Sequence, residues 1–201
     1  MGDMCAPGGT QFVSLLMKGI VLAGGKSSRF GSDKALAIYN GLPLVKRAVD
    51  LLSRFDVHPA VITRKGKSYP FLSCPVIEDK PSDLGPLGGL YTAMSVFPHN
   101  SFCVLTCDMP FLTGEALSDL IQGDRKKEEV LLFQIQGQNQ PFPGIYPRCI
   151  LPQVRRGLLE GRYSMKHLLE NVPTKSIVWT DLTEIFCNVN NFKDLTQVFI
   201  P

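Results

Sequence analysis

At 201 residues the chain has the length of one large domain, and 44% hydrophobic against 19% charged residues describe an ordinary globular composition rather than a disordered or fibrous one. A formal charge of +3 is too small to define a nucleic-acid-binding or membrane-binding surface, so neither partner is expected, while it suits an anionic small molecule. Six cysteines (Cys5, Cys74, Cys103, Cys107, Cys149, Cys187) show no CxxC pair and no zinc-type spacing, and are read as reduced residues of a cytoplasmic protein.

Residues 1–17 are expected to form a disordered extension, because the apolar run Phe12 to Met17 is too short for a signal-peptide core. A single domain is expected over 18–201. It opens on a buried strand from Lys18 to Ala23, closed by Gly24 and Gly25. Leu36 to Tyr39 reads as a short strand and Asn40-Gly41 as a turn, after which Pro43 introduces a helix. Strands are expected at Ala60 to Thr63 and Pro75 to Ile77. Pro86 starts a helix over Gly85 to Phe97. Phe102 to Cys107 is nearly continuous apolar sequence, as in a central parallel strand covered on both faces.

Thr113 is placed to cap the next helix, and the polar run Gln122 to Glu129 reads as a solvated connection. Further strands are expected at Val130 to Ile135, Gly144 to Tyr146 and Ser176 to Trp179. Helices are expected at Arg148 to Leu159, at Ser164 to Glu170 with Ser164 as its cap, and from Asn191 with Asp194 in its first turn. Strands alternating with helices predict an α/β fold, a mainly parallel sheet with helices on both faces. Such sheets bind ligands beyond the carboxyl ends of their strands. Gly24 onward, Glu78-Asp79 and Asp108 all fall at such ends.

The loop from Leu22 to Leu36, LAGGKSSRFGSDKAL, carries most of the chemistry. Gly24 and Gly25 let backbone amides approach a ligand, and Lys26, Arg29 and Lys34 add cations suited to phosphate. GxGxxG is absent. A Walker A loop is also absent, because Ile20 stands where a glycine would have to precede Gly25-Lys26-Ser27. On residues alone, a solvated glycine turn remains as good a reading as a phosphate cradle. Asp108, at the end of the central strand, reads either as a turn aspartate before Met109-Pro110 or as a carboxylate for a hard divalent cation. Asn188 and Asn190 place two amides on one face of an extended segment. His58, His99 and His167 lie in surface contexts and need no chemical role, and Arg155, Arg156 and Arg162 read as solvated.

The loop resembles the nucleotidyltransferase signature, and most closely that of the molybdenum cofactor guanylyltransferase family. Val76-Ile77-Glu78-Asp79, Gly85-Pro86-Leu87-Gly88-Gly89, Thr106-Cys107-Asp108-Met109-Pro110 and Asn188-Val189-Asn190 match in the same order. The resemblance implies a three-layer, Rossmann-like fold of the nucleotide-diphospho-sugar transferase type. It further implies transfer of GMP from GTP to the terminal phosphate of molybdopterin with release of pyrophosphate, dependent on Mg2+. It assigns Leu22, Ala23, Gly24, Gly25, Lys34, Asp79 and Asp108 to the nucleotide, with Asp108 also on the metal. Arg29, Lys34 and Asp108 are the catalytic set, and Asn188 and Asn190 are assigned to the pterin.

A further nucleotide contact is implied near Thr63 or Arg64. Beyond GTP and molybdopterin, the implied partners are molybdenum-insertion proteins and acceptor molybdoenzymes. Thr-Pro, common in the family after the second asparagine, is here Asn191-Phe192. Two other readings stay open: a nucleotidyltransferase using CTP or acting on a sugar or polyol phosphate, and a non-catalytic nucleotide-binding protein. Leu22-Ala23-Gly24-Gly25 argues against cytidylyl transfer, since those relatives usually carry alanine before a single glycine.

Overall fold

Alternating apolar runs set the order of elements, and two short turns decide where the chain reverses. The computed structural model describes residues 17–24, 33–55, 57–80, 83–181, 183–189 and 194. The first half comprises β1 (Met17–Leu22), β2 (Ile38–Tyr39), β3 (Leu42–Pro43), α1 (Leu44–Ser53), β4 (Ala60–Thr63), β5 (Val76–Glu78), α2 (Gly85–Val96) and β6 (Ser101–Thr106). The second comprises α3 (Gly114–Gln122), β7 (Val130–Ile135), β8 (Gln138–Pro147), α4 (Leu151–Leu159), α5 (Met165–Leu169) and β9 (Thr174–Val178). Single 3-10 turns lie at Lys34–Leu36, Arg148–Ile150 and Thr183–Phe186.

Among the described residues the strands form a seven-stranded sheet in the order β5-β4-β1-β6-β8-β7-β9, beside a separate β2-β3 ribbon. β1 is parallel to β4 and β6, β4 to β5, and β7 to β9. β8 runs antiparallel to both β6 and β7. The expected α/β fold with a mainly parallel sheet is therefore present. Alternate side chains of each strand feed two cores, as the period of two requires. Val21 joins Val45, Ala48 and Leu52 of α1 and Leu117 and Leu120 of α3 on one face. Ile20 and Leu22 join Leu87, Leu90 and Met94 of α2, Val154 of α4 and Leu168 of α5 on the other.

The length of β8 differs most from expectation. The sequence shows a strand only at Gly144 to Tyr146, because Pro141 and Pro143 lack ladder donors. The register explains their tolerance: Leu132 faces Gly144 and Phe133 faces Gln140, so residues 141–143 bulge out without partners on β7. A Cβ on Gly144 would lie 2.9 Å from the Pro141 carbonyl oxygen and from the Tyr146 ring, so the bulge needs glycine there. Gln136 and Gly137 both take positive φ (49° and 76°), the geometry of a two-residue hairpin turn, and this turn makes β8 antiparallel.

Smaller differences have local causes. β1 begins at Met17 rather than Lys18, and Leu36 belongs to a 3-10 turn rather than to a strand. Thr113 caps α3 as expected, its hydroxyl accepting from Ala116 N at 3.3 Å. Ser164 sits at the N-cap of α5 but makes no side-chain cap bond; its carbonyl accepts from Leu168 N instead. Cys103 and Cys107 are buried in the same core, and burial pushes the Cys103 thiol up to about 12 and raises that of Cys107. Among the described residues no helix is long and apolar enough to cross a membrane. Of the extension expected at 1–17, Met17 belongs to β1 and 1–16 lie outside the described residues, as does, apart from Asp194, the helix expected from Asn191.

Candidate active site

The parallel half of the sheet ends on a shared rim, held level by backbone hydrogen bonds just past the strands. Ala23 N donates to the Ile62 carbonyl (2.8 Å), Asp79 N to that of Thr63 (2.7 Å) and Cys107 N to that of Leu22 (3.1 Å). Above this rim opens a cavity of about 270 Å³. Leu22, Ala23 and Gly24 enter it from β1, Ile62 from β4, and Thr106, Cys107 and Asp108 from β6. Lys34 and Ala35 close one side, Asp79 another, and Gly85, Pro86 and Gly89 bring the start of α2 to its wall.

The start of α2 suits an anion. Pro86 occupies its first turn and Leu84 at the N-cap makes no side-chain cap bond, so the amide end of a twelve-residue helix faces the cavity with its dipole positive. Gly89 allows the helix to approach: a Cβ there would lie 2.8 Å from Leu22 Cδ2. Gly24 does not take positive φ. Among the described residues a Cβ on Gly24 would meet Arg64 alone, at an ordinary contact distance of 3.7 Å, so close packing does not demand glycine there.

Asp108 and Asp79 are two carboxylates in different settings. Lys34 Nζ donates to Asp108 Oδ2 at 2.9 Å, with the two side chains 15% and 22% exposed. Asp108 Oδ1 is buried and has no partner among the described residues. An unmatched anionic oxygen beside an open cavity fits a cation. Among the described residues no three histidine, cysteine, aspartate or glutamate side chains cluster to hold a metal. A hard ion at Asp108 would therefore complete its shell with phosphate oxygens and water, as Mg2+ does. Asp79 is buried, and Thr92 Oγ1 of α2 donates to its Oδ1 at 2.7 Å. Burial pushes its carboxyl above the usual aspartate range against the lowering by Thr92, and the like charge of Asp83 adds to the rise.

Of the residues singled out from sequence, Leu22, Ala23, Gly24, Lys34, Asp79 and Asp108 share this cavity. Asn188 is exposed outside it, yet the next residue ties it to the site: Val189 N donates to the Asp108 carbonyl at 2.8 Å. Val189 itself is buried with Phe111, Ala37 and Leu44. Gly25, Arg29 and Asn190 lie outside the described residues. Near Thr63 and Arg64, Thr63 is turned into the interior against Tyr69, whereas Ile62 lines the cavity.

None of the three histidines lines the cavity. Arg156 and Arg162 pair with Glu160 elsewhere on the surface. Sequence reasoning gave no role to Ile62, Ala35, Thr106 or Gly89. The rule that ligands meet strand ends points to the first and third, and the Gly85-Pro86-Leu87-Gly88-Gly89 string to the last.

A mainly parallel sheet whose strand ends, helix N-terminus, lysine and bare carboxylate oxygen converge on one cavity defines a nucleotide-handling α/β domain, of the nucleotide-diphospho-sugar transferase fold. The chain belongs to the MobA-like NTP transferase domain family, whose model matches residues 19–176. It is 31% identical over 182 residues to a protein of Flavobacterium johnsoniae named "Probable molybdenum cofactor guanylyltransferase", covering 90% of this chain and 95% of that one. It is 27% identical to the "Molybdenum cofactor guanylyltransferase" of Vibrio cholerae, covering 89% of each. The crystal structure of molybdopterin-guanine dinucleotide biosynthesis protein A from Archaeoglobus fulgidus superposes with a TM-score of 0.77 at 23% identity, over 90% of this chain and 96% of that one, and so shares the fold.

Proposed function

We propose that this protein is a Mg2+-dependent molybdenum cofactor guanylyltransferase, moving GMP from GTP to the terminal phosphate of molybdopterin and releasing pyrophosphate. The observation that carries this reading is the junction at Asp108. Its carboxylate meets Lys34 on one oxygen and has no partner among the described residues on the other, while its carbonyl holds the Asn188-Val189 segment. The family to which the chain belongs and the names of its relatives agree with it.

On this reading GTP lies along the rim, with its base toward Leu22 to Gly24 and Asp79 and its phosphates toward Lys34 and the start of α2. Molybdopterin approaches from the side of Asn188 and Asn190. Attack by an ionised phosphate on the α-phosphorus brings two anions together, so electrostatic stabilisation and orientation are what the protein has to supply. Asp108 would hold Mg2+, which would supply positive charge to the phosphate oxygens when bound. Lys34, and Arg29 with it, would neutralise phosphate charge as pyrophosphate leaves. The attacking phosphate needs no general base near neutral pH, in keeping with the absence of histidine from the cavity lining. The product serves other proteins, so molybdenum-insertion proteins and acceptor molybdoenzymes are the protein partners expected.

The test is pyrophosphate release from molybdopterin, Mg2+ and each of GTP, CTP and ATP in turn. Release fastest with GTP is expected. Faster release with CTP would move the assignment to cytidylyl transfer, and none with any nucleotide would favour a binding protein.

A further inference from the structure

Lysine is a flexible four-carbon stem, so directing its ammonium to one place requires a fixed backbone beneath it. The 3-10 turn carrying Lys34 is only three residues long and supplies little rigidity of its own. Its support comes from Asp33, immediately before it. Asp33 Oδ1 accepts from Ala35 N at 3.1 Å and caps the turn. Asp33 Oδ2 accepts from the Tyr69 hydroxyl at 3.4 Å and pairs with Lys67 Nζ at 3.3 Å.

Both partners belong to the connection between β4 and β5. Tyr69 is 2% exposed, and its hydroxyl lies 3.2 Å from Thr63 Oγ1, on a fully buried residue at the end of β4. Burial pushes the Tyr69 hydroxyl up to about 12, so it keeps its proton near neutrality and remains a donor to the carboxylate. With that proton committed to Asp33, the Thr63 hydroxyl donates to the tyrosine oxygen. A continuous series of contacts therefore runs from the end of β4 through Thr63, Tyr69 and Asp33 to the turn, and on through Lys34 to Asp108.

We propose that Tyr69 and Asp33 are positioning residues that anchor the Lys34 turn to the end of β4 and so set the lysine ammonium where the nucleotide's phosphates bind. This rests on the reading above only in that Lys34 meets phosphate. Thr63, Tyr69 and Asp33 do not themselves line the cavity. Removal of the link should weaken binding of a triphosphate, spare binding of the nucleoside, and matter only while Lys34 is present.

Calorimetric titration of the full chain with GTP and with guanosine tests this on the wild type, Tyr69→Phe, Lys34→Met and the double variant. Tyr69→Phe is expected to weaken GTP about fivefold, the size of one lost hydrogen bond, and to leave guanosine unchanged. In the Lys34→Met background it should add nothing, since residues acting through one another are non-additive. Asp33→Asn keeps an oxygen to cap Ala35 but loses the charge facing Tyr69 and Lys67, and should show the same dependence on Lys34 even if Tyr69→Phe folds poorly. Equal weakening of GTP with and without Lys34, parallel weakening of guanosine, or no effect on GTP would overturn the link. Tighter wild-type binding of CTP than of GTP would instead unseat the guanylyl assignment, and the same cycle run with CTP would still read the link. A wild type that binds no triphosphate would sink both.

Discussion

The two halves of the sheet use the same edge differently. In the parallel half, β5-β4-β1-β6, each strand ends in a loop, and those ends deliver Leu22 to Gly24, Ile62, Asp79 and Asp108 to one cavity. In the other half, β7 and β8 are joined at that same edge by the Gln136-Gly137 turn. There the polar side chains bond one another: Gln134 Nε2 donates to Asn139 Oδ1 at 3.3 Å, and Ser176 Oγ of β9 to the same oxygen at 3.0 Å. A crossover connection leaves strand ends open to a ligand, whereas a tight hairpin closes its edge on itself. The parallel half is accordingly where carboxylates gather beside the cavity. Asp108 Oδ1 has no partner among the described residues, and Asp79 is held as a carboxyl that burial disfavours as an anion.

The largest effect should come from the bare carboxylate. Asp108→Asn is expected to lower kcat about 10³-fold, the scale at which one preorganised electrostatic group acts, while circular dichroism shows an unchanged fold. Turnover within tenfold of wild type would remove Asp108 from the metal and phosphate chemistry and break the contrast between the halves.

A smaller effect is expected at Asp79, with opposite signs for stability and function. A folded carboxyl raised above the ordinary 3.8 contributes stability that is full below that value and is lost as pH rises through the folded value. Asp79→Asn removes this loss. Its melting temperature at pH 7 should therefore exceed wild type by a few degrees, the scale of an ordinary single substitution, and the gap should close toward pH 4. The same variant should bind GTP less tightly, because a stability gain at a binding residue commonly comes with lost function. A gap that widens on acidification would reverse the sign of the burial argument.

Much of this was legible in the sequence, and the residues show why. Strand ends expected at Ala23, Thr63 and Cys107 fall within one residue of those observed, because apolar runs are stopped there by glycine or polar residues, and helix starts beside Pro43 and Pro86 follow from proline's fixed φ. The ordered motifs then brought Lys34, Asp79 and Asp108 to one place. Tertiary pairing was harder to read. Nothing local in Gln138 to Pro147 announces a ten-residue antiparallel strand, because its prolines are acceptable only through a bulge opposite Leu132 and Phe133. The Asp33–Tyr69 contact joins residues 36 positions apart, so no spacing rule reveals it. Gly89 matters for what a Cβ would strike, the end of the Leu22 side chain, and that shows only after packing.

The central claim is that the working edge runs along the parallel half and across Asp108 to Asn188, and that the hairpin edge is structural. The most direct test measures KM for molybdopterin and for GTP in Asn188→Ala beside Asn139→Ala. Asn188→Ala should raise the molybdopterin KM about tenfold, as expected for hydrogen bonds to a charged substrate, with the GTP KM unchanged. Asn139→Ala should leave both constants at wild-type values. A molybdopterin KM that rises in Asn139→Ala and stays fixed in Asn188→Ala would contradict the account.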